Sequence, residues 1–219
     1  MLPDLCARLS RARFFRPSNL LPSDVYPVLS RLAKDREATI TQQREESGDS
    51  FSWIFGYGSL VWRPGFKFSN ACIATLRGWE RAFCQASPDH RGTPTKPGRV
   101  LTLRKAANVH CVGMAYQVER EDKQEILDYL DVRESGGYSR QIVNIVLDTK
   151  DDVGALTYIA LPDNPHAVAR EPDAELLSLV KSRHGPSGSN LDYVLNLSAA
   201  LQEKNIHDPV VENLAAQLR

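Results

Sequence analysis

Apolar residues from Ser52 onward gather into short runs with the texture of strands. These are WIFGY (53–57), ACIATL (71–76), RVLTL (99–103), CVGMAYQV (111–118), QIVNIVL (141–147) and ALTYIAL (155–161), separated by turn-rich segments. Between the fourth and fifth runs, EDKQEILDYLDVRE (121–134) changes to helical period, with Ile126, Leu127 and Leu130 on its buried face. After Glu171 the helical period dominates. It predicts helices over 171–183, 189–203 and 208–218, with HGPSGSN (184–190) as a tight connection between the first two. Strands first and helices last argue for an α+β fold and against a regular βαβ array. Six or so short strands in one domain predict a closed or strongly curled mixed sheet, flanked by the C-terminal helices.

The first fifty residues have a different texture. Val25, Val28, Leu29, Leu32 and Ala33 share one face of a helix expected over 23–46, in which Pro27 is tolerable only near the first turn. The polar stretch KDREATITQQREESGDS (34–50) then reads as a linker, with a boundary near Asp49. Residues 1–50 are thus expected to be an N-terminal extension, partly helical, and residues 51–219 the domain that carries chemistry. Arg8, Arg11, Arg13 and Arg16 stand against the single acid Asp4 in the first 21 residues. Organelle transit peptides have that composition, and so does an untidy basic extension.

Charge narrows the partners. The 219 residues hold 27 Lys plus Arg and 27 Asp plus Glu, so no overall basic field draws the chain to nucleic acid or to an anionic membrane. A small substrate or a protein partner is the expectation, and oligomeric state is left open. Cys6, Cys72, Cys84 and Cys111 form no CxxC pair, which argues against a zinc ribbon or a thioredoxin motif. They read as reduced thiols of a cytoplasmic protein, packing as small hydrophobes. No apolar run approaches the roughly eighteen residues of a membrane span.

IFGYGSLVW (54–62) asks why a buried strand ends in Gly-Tyr-Gly-Ser. A dinucleotide loop needs a third glycine where Val61 stands, a Walker loop needs Gly-Lys-Ser/Thr, and a nucleophile elbow needs glycines where Tyr57 and Val61 stand. All three fail. Two readings remain. The amides of Gly58, Ser59 and Leu60 could face an anion or a developing oxyanion, or the glycines could serve a bulge packed under Trp62.

A second conflict lies in LDYLDVRESGGY (127–138). Gly136 and Gly137 end a helix whose last turn should favour cations, yet it presents Asp131 and Glu134 with only Arg133 in compensation. A carboxylate in that field gains proton affinity, which suits a general base near neutral pH; a solvated helix-end acid is the plainer reading. Elsewhere, His90 beside Asp89 has no second ligand pair spaced to hold a metal. His110, His166, His184 and His207 are scattered. Arg81, Arg91 and Arg99 could each clamp a carboxylate or only tie down a loop. Cys84 reads as core.

Taken together, FGYGSLVWRPGF, DHRGTPTKPGRVLTL with GMAYQV, YLDVRESGGY, and GPSGSNLDYVLNL resemble the ChaC-type, glutathione-specific gamma-glutamylcyclotransferases, from Trp53 to about Leu201. The chain departs from that pattern at Ala86-Ser87-Pro88 and at Ser135, where family members often carry Gly-Ser/Asp-Thr and lysine. The resemblance implies a small mixed β-barrel with helices around it, and conversion of glutathione to 5-oxoproline and cysteinylglycine. By position it implies Glu134 as the catalytic acid/base and Ile54, Phe55, Gly56, Tyr57, Gly58 and Ser59 as the substrate loop. Leu60 joins that loop through its amide, and Tyr57 and Tyr138 are candidates to steer a substrate carboxylate or Glu134. No metal or cofactor is required. Three other readings stand beside this one: the same cyclisation on other gamma-glutamyl compounds, a catalytically poor domain that binds a protein, and a serine hydrolase using Ser59.

Overall fold

The computed structural model describes residues 51–219; the helix expected over 23–46 and the boundary near Asp49 lie outside them. Five strands close a barrel in the order β1-β3-β2-β4-β5. They are β1 (Trp53–Gly56), β2 (Asn70–Ser87), β3 (Gly98–Gln117), β4 (Ser139–Leu147) and β5 (Asp152–Ile159). Neighbours run antiparallel except β1 and β5, whose parallel pairing of Trp53 with Ala155 and Ile54 with Leu156 shuts the barrel.

The six expected runs become five strands because RVLTL and CVGMAYQV are two ends of β3. Of the polar RKAANVH between them, Arg104, Lys105 and His110 pair with Glu80, Trp79 and Arg77 of β2, while residues 106–109 have no register partner. A register shift between Arg77 and Trp79 is absorbed by Gly78 (φ 76°) and Asn108 (φ 60°), the bulge that lets so long a hairpin bend. Likewise ACIATL is only the start of β2, which continues to Ser87.

Consecutive residues of β1 face opposite sides, and each feeds a different core. Phe55 enters the barrel interior with Leu76, Leu101 and Ile145; Ile54 packs outside with Leu60, Leu130 and Leu156. The outer core is covered by α1 (Lys123–Arg133), which lays down Ile126, Leu127 and Leu130 as its periodicity requires. The helices α2 (Asp173–Ser182), α3 (Asn190–Glu203) and α4 (Pro209–Leu218) start and stop within two residues of expectation. Between α2 and α3 the connection is a small hairpin, β6 (His184–Gly185) with β7 (Gly188–Ser189).

Two polar devices fix the helices to the barrel. Asn190, fully buried at the start of α3, accepts from the Arg99 amide at 2.5 Å and donates to the Arg99 carbonyl at 2.8 Å. Asp208 caps α4 by accepting from the Val211 amide, and its other oxygen takes a 2.8 Å hydrogen bond from the buried Arg81 guanidinium.

Candidate active site

The glycines at the end of β1 do different work. A methyl group on Gly56 would stand 2.6 Å from Leu60 Cβ, and one on Gly113 would stand 2.4 Å from the Gly56 carbonyl, so two strands and a turn meet there without side chains. Gly58 is open by contrast: a Cβ there would meet only the Tyr193 hydroxyl, at 3.5 Å. The two glycines thus differ: Gly56 is required by close packing of strand against turn, and Gly58 leaves its backbone uncovered.

Ser59–Val61 form a single 3-10 turn, in which the Gly58 carbonyl accepts from the Val61 amide at 3.0 Å and the Ser59 carbonyl from the Arg63 amide at 2.9 Å. Its leading amides have no partner inside the turn and are the donors it can offer. Buried groups clamp the loop. Arg81 Nε donates to the Tyr57 carbonyl at 2.8 Å, and the Tyr116 hydroxyl donates to the Leu60 carbonyl at 2.7 Å. The side chains of Ile54, Phe55 and Leu60 are core, so these residues place the loop rather than face its open side.

Glu134 is the cap residue of α1, its amide bonded to the Leu130 carbonyl, and the chain turns away through Gly137 at φ 94°. The turn is pinned by the buried Gln85, whose Nε2 donates to the Gly136 carbonyl at 2.8 Å. The Glu134 side chain is 17% exposed, open enough to be reached yet largely withdrawn from water. That burial raises its pKa above the usual carboxylate range, and Arg133 pulls the other way. Burial is thus the leading cause, ahead of any field from the helix end.

Arg133 joins this carboxylate to the glycine loop. Its Nε lies 3.3 Å from Glu134 Oε1, its Nη2 donates to Ser59 Oγ at 2.8 Å, and its Nη1 donates to the Arg63 and Pro64 carbonyls at 2.6 and 2.9 Å. Arg133 is not the only compensating cation at the helix end, as the sequence suggested. Asp131 is held by Arg140 of β4, at 2.8 and 2.5 Å, and by the Tyr158 hydroxyl at 2.8 Å.

Three phenols, two buried and one partly buried, feel the charge of the carboxylate. Tyr57, Tyr138 and Tyr193 all have raised pKa values, burial first, with the charge of Glu134 among the causes in each. Tyr57 donates to the Tyr158 carbonyl at 2.8 Å and Tyr138 to the Leu101 carbonyl at 2.5 Å, so the donors of both proposed steering residues go to the main chain. Tyr193, which the sequence did not single out, comes from α3. Its ring meets Trp62 edge-on at 5.8 Å and lies under the Arg91 guanidinium at 5.6 Å.

The three candidate arginines separate clearly. Arg81 is bound to Asp208 and to the carbonyls of Tyr57 and Val112, and Arg99 to Glu171. Arg91 donates to the carbonyls of Ser187 and Ser189 and stands over the Tyr193 ring. His90 shares a 3.0 Å hydrogen bond with Ser187, and among the described residues no group of three or more His, Cys, Asp or Glu could hold a metal ion. Cys84 is buried, and burial pushes its thiol up.

A family model described as ChaC-like protein matches residues 52–219. The chain belongs to this ChaC-like family. An Arabidopsis thaliana relative, Gamma-glutamylcyclotransferase 2-3, is 38% identical to the ChaC-like chain over 175 residues, 76% of this chain and 88% of that protein. Human Glutathione-specific gamma-glutamylcyclotransferase 1 is 39% identical over 163 residues, 73% of each. A yeast crystal structure, of a gamma-glutamyl cyclotransferase specific to glutathione, superposes with a TM-score of 0.72 at 29% identity, covering 78% of this chain and 96% of that one. The barrel of the ChaC-like chain, with its covering helices, is the α+β fold expected from the sequence.

Proposed function

We propose that this chain is a glutathione-specific gamma-glutamylcyclotransferase, converting glutathione to 5-oxoproline and cysteinylglycine, with residues 51–219 as the catalytic unit. One observation carries the reading. Arg133 ties a desolvated carboxylate, Glu134, to the turn that offers main-chain donors, so base and donors are held as one unit.

The gamma-glutamyl group has to curl until its α-amine meets its own side-chain amide carbon. Near neutral pH that amine is an ammonium, and Glu134 removes a proton from it. The nitrogen lone pair then forms the new bond to carbon, and the carbonyl π electrons move onto oxygen. Amides of the Gly58–Leu60 segment hold that oxyanion, each good donor being worth roughly 3–4 kcal/mol. As the intermediate collapses, the bond to the cysteine nitrogen breaks and Glu134 returns the proton to it. The second proton of the attacking nitrogen passes on to the released amine, which departs as an ammonium and leaves a neutral lactam. Positioned proton transfer contributes about 10²–10⁴ in rate, and holding the chain curled supplies the orientation. The raised pKa of Glu134 fits both halves of this cycle.

Ser59 does not suit a nucleophile, since its hydroxyl accepts from a guanidinium, which has no lone pair to take a proton. We place the enzyme in the cytoplasm, because Cys72, Cys84 and Cys111 are free thiols, as a reducing compartment keeps them. Incubation with glutathione, gamma-glutamyl-alanine and gamma-glutamyl-lysine, followed by assay of 5-oxoproline, tests the reading. Product from glutathione alone is expected. Equal turnover of all three would make the enzyme a general gamma-glutamyl cyclase, and labelling of Ser59 by a fluorophosphonate would favour the hydrolase.

A further inference from the structure

The motif GPSGSNLDYVLNL (185–197) brings one group to the site that the mechanism above leaves unused. Counting hydroxyl protons isolates it. Tyr57 and Tyr138 each donate to a main-chain carbonyl, whereas the Tyr193 oxygen accepts, from the Leu101 amide at 3.3 Å. Among the described residues nothing accepts the Tyr193 proton. A phenol carries one donor and can also accept, so this buried hydroxyl is held by Leu101 with its hydrogen turned elsewhere.

Where it turns is bounded by the glycine loop. The Tyr193 oxygen lies 3.5 Å from the point where a side chain on Gly58 would begin, and no other nonadjacent atom of the described residues comes within 4 Å of that point. The space left by the missing side chain is therefore bordered by this hydroxyl, at the residue that opens the turn whose leading amides lack a partner inside it. The placement follows from local structure. Asn190 pins the start of α3 to Arg99 of β3, and Tyr193, almost one helical turn on, reaches Leu101, two residues along the strand. Trp62 and Arg91 then hold the ring.

We propose that Tyr193 is a second catalytic residue, its hydroxyl donating to the substrate carbonyl oxygen that becomes the oxyanion, beside the amides of the Gly58–Leu60 segment. This rests on the cyclisation reading. It adds a hydrogen bond that strengthens as charge develops on oxygen, and it moves no proton between partners. Burial pushes the phenol up to about 12, so it remains a donor throughout the working pH range.

Tyr193→Phe keeps the ring against Trp62 and Arg91 and removes the hydroxyl. Loss of one oxyanion donor typically costs about 10²–10³ in kcat. That fall is expected with KM little changed, read with glutathione on protein whose far-ultraviolet circular dichroism matches the native spectrum. Native kcat, or a raised KM with kcat intact, would overturn the proposal. Should Tyr193→Phe fail to fold, 3-fluorotyrosine placed at 193 keeps ring and hydroxyl while making the donor more acidic. A changed kcat at constant KM then supports the role, and an unchanged kcat overturns it. Native protein that yields no 5-oxoproline from any gamma-glutamyl compound would remove the cyclisation reading itself. An active native enzyme beside a fully active Tyr193→Phe would remove only the role given to Tyr193.

Discussion

Arg133 donates to Ser59 Oγ at 2.8 Å across 74 residues of chain, while the Nε of the same guanidinium stands 3.3 Å from Glu134. The guanidinium acts on the carboxylate in two ways, by position and by charge. Arg133→Met should fold and bind substrate, with kcat lowered by about 10²-fold, the scale of a misplacement of about 1 Å. Arg133 also opposes the rise in the Glu134 pKa. Without it the carboxylate takes up its proton at higher pH, and the acid limb of the kcat/KM profile should move upward. A pH profile with an unmoved acid limb would show that Arg133 does not tune the base.

Glu134 should also weaken the fold it serves. Burial raises its pKa, so the native state favours the protonated form more than the unfolded chain does. The stability associated with that difference is fully present below the unfolded value and is lost as pH rises through the folded one. Glu134→Gln, which carries no charge to desolvate, should therefore melt above the native protein at pH 7, and the gap should close in acid. Calorimetry at pH 4 and pH 7 checks this. A variant that is less stable at neutral pH would mean that the carboxylate is well solvated or well paired.

Substitution of the two loop glycines should separate fold from function. Gly56→Ala drives a methyl to 2.6 Å from Leu60 Cβ, and the expected result is a lowered melting temperature. Gly58→Ala meets only the Tyr193 hydroxyl, at ordinary contact distance, but fills the space assigned to substrate. Its melting temperature should stay nearer the native one, with kcat/KM reduced. The opposite pattern would assign the roles the other way round.

The Arg81–Asp208 pair should dominate the attachment of the C-terminal helix. Arg81 has a fully inaccessible side chain and Asp208 one that is 11% exposed. Asp208→Ala strands a buried guanidinium and removes the α4 cap. Breaking such a pair typically costs about 3–5 kcal/mol, measurable by urea unfolding. A loss under about 1 kcal/mol would mean that the guanidinium finds another partner.

Elements whose signal is local were legible in the sequence. Glycines closing β1, glycines ending α1 and a 3.6-residue period in the C-terminal helices are each written within a dozen residues. The middle of the β2–β3 hairpin was not, because Arg104, Lys105 and His110 pair through the backbone and the stretch 104–110 shows no apolar alternation. Site residues divide in the same way. Glu134 betrays itself by opposing the helix end, whereas Arg133 and Tyr193 acquire their roles from partners 74 and 92 residues away. Tyr57 and Tyr138 feel the charge of Glu134, but only the tertiary structure shows that carbonyls already take their protons. The same applies to Arg81 and Arg99, whose partners Asp208 and Glu171 lie far along the chain. The N-cap of α3 was readable in principle, since Ser189 accepts from the Asp192 amide three residues on.

The most direct measurement is 5-oxoproline released from saturating glutathione by the native protein and by Glu134→Gln, at matched concentration and with matching circular dichroism. Release by the native protein and none by the variant is the predicted result. Turnover by Glu134→Gln within a few-fold of native would contradict the account, because an amide at that position cannot take the proton from the attacking amine.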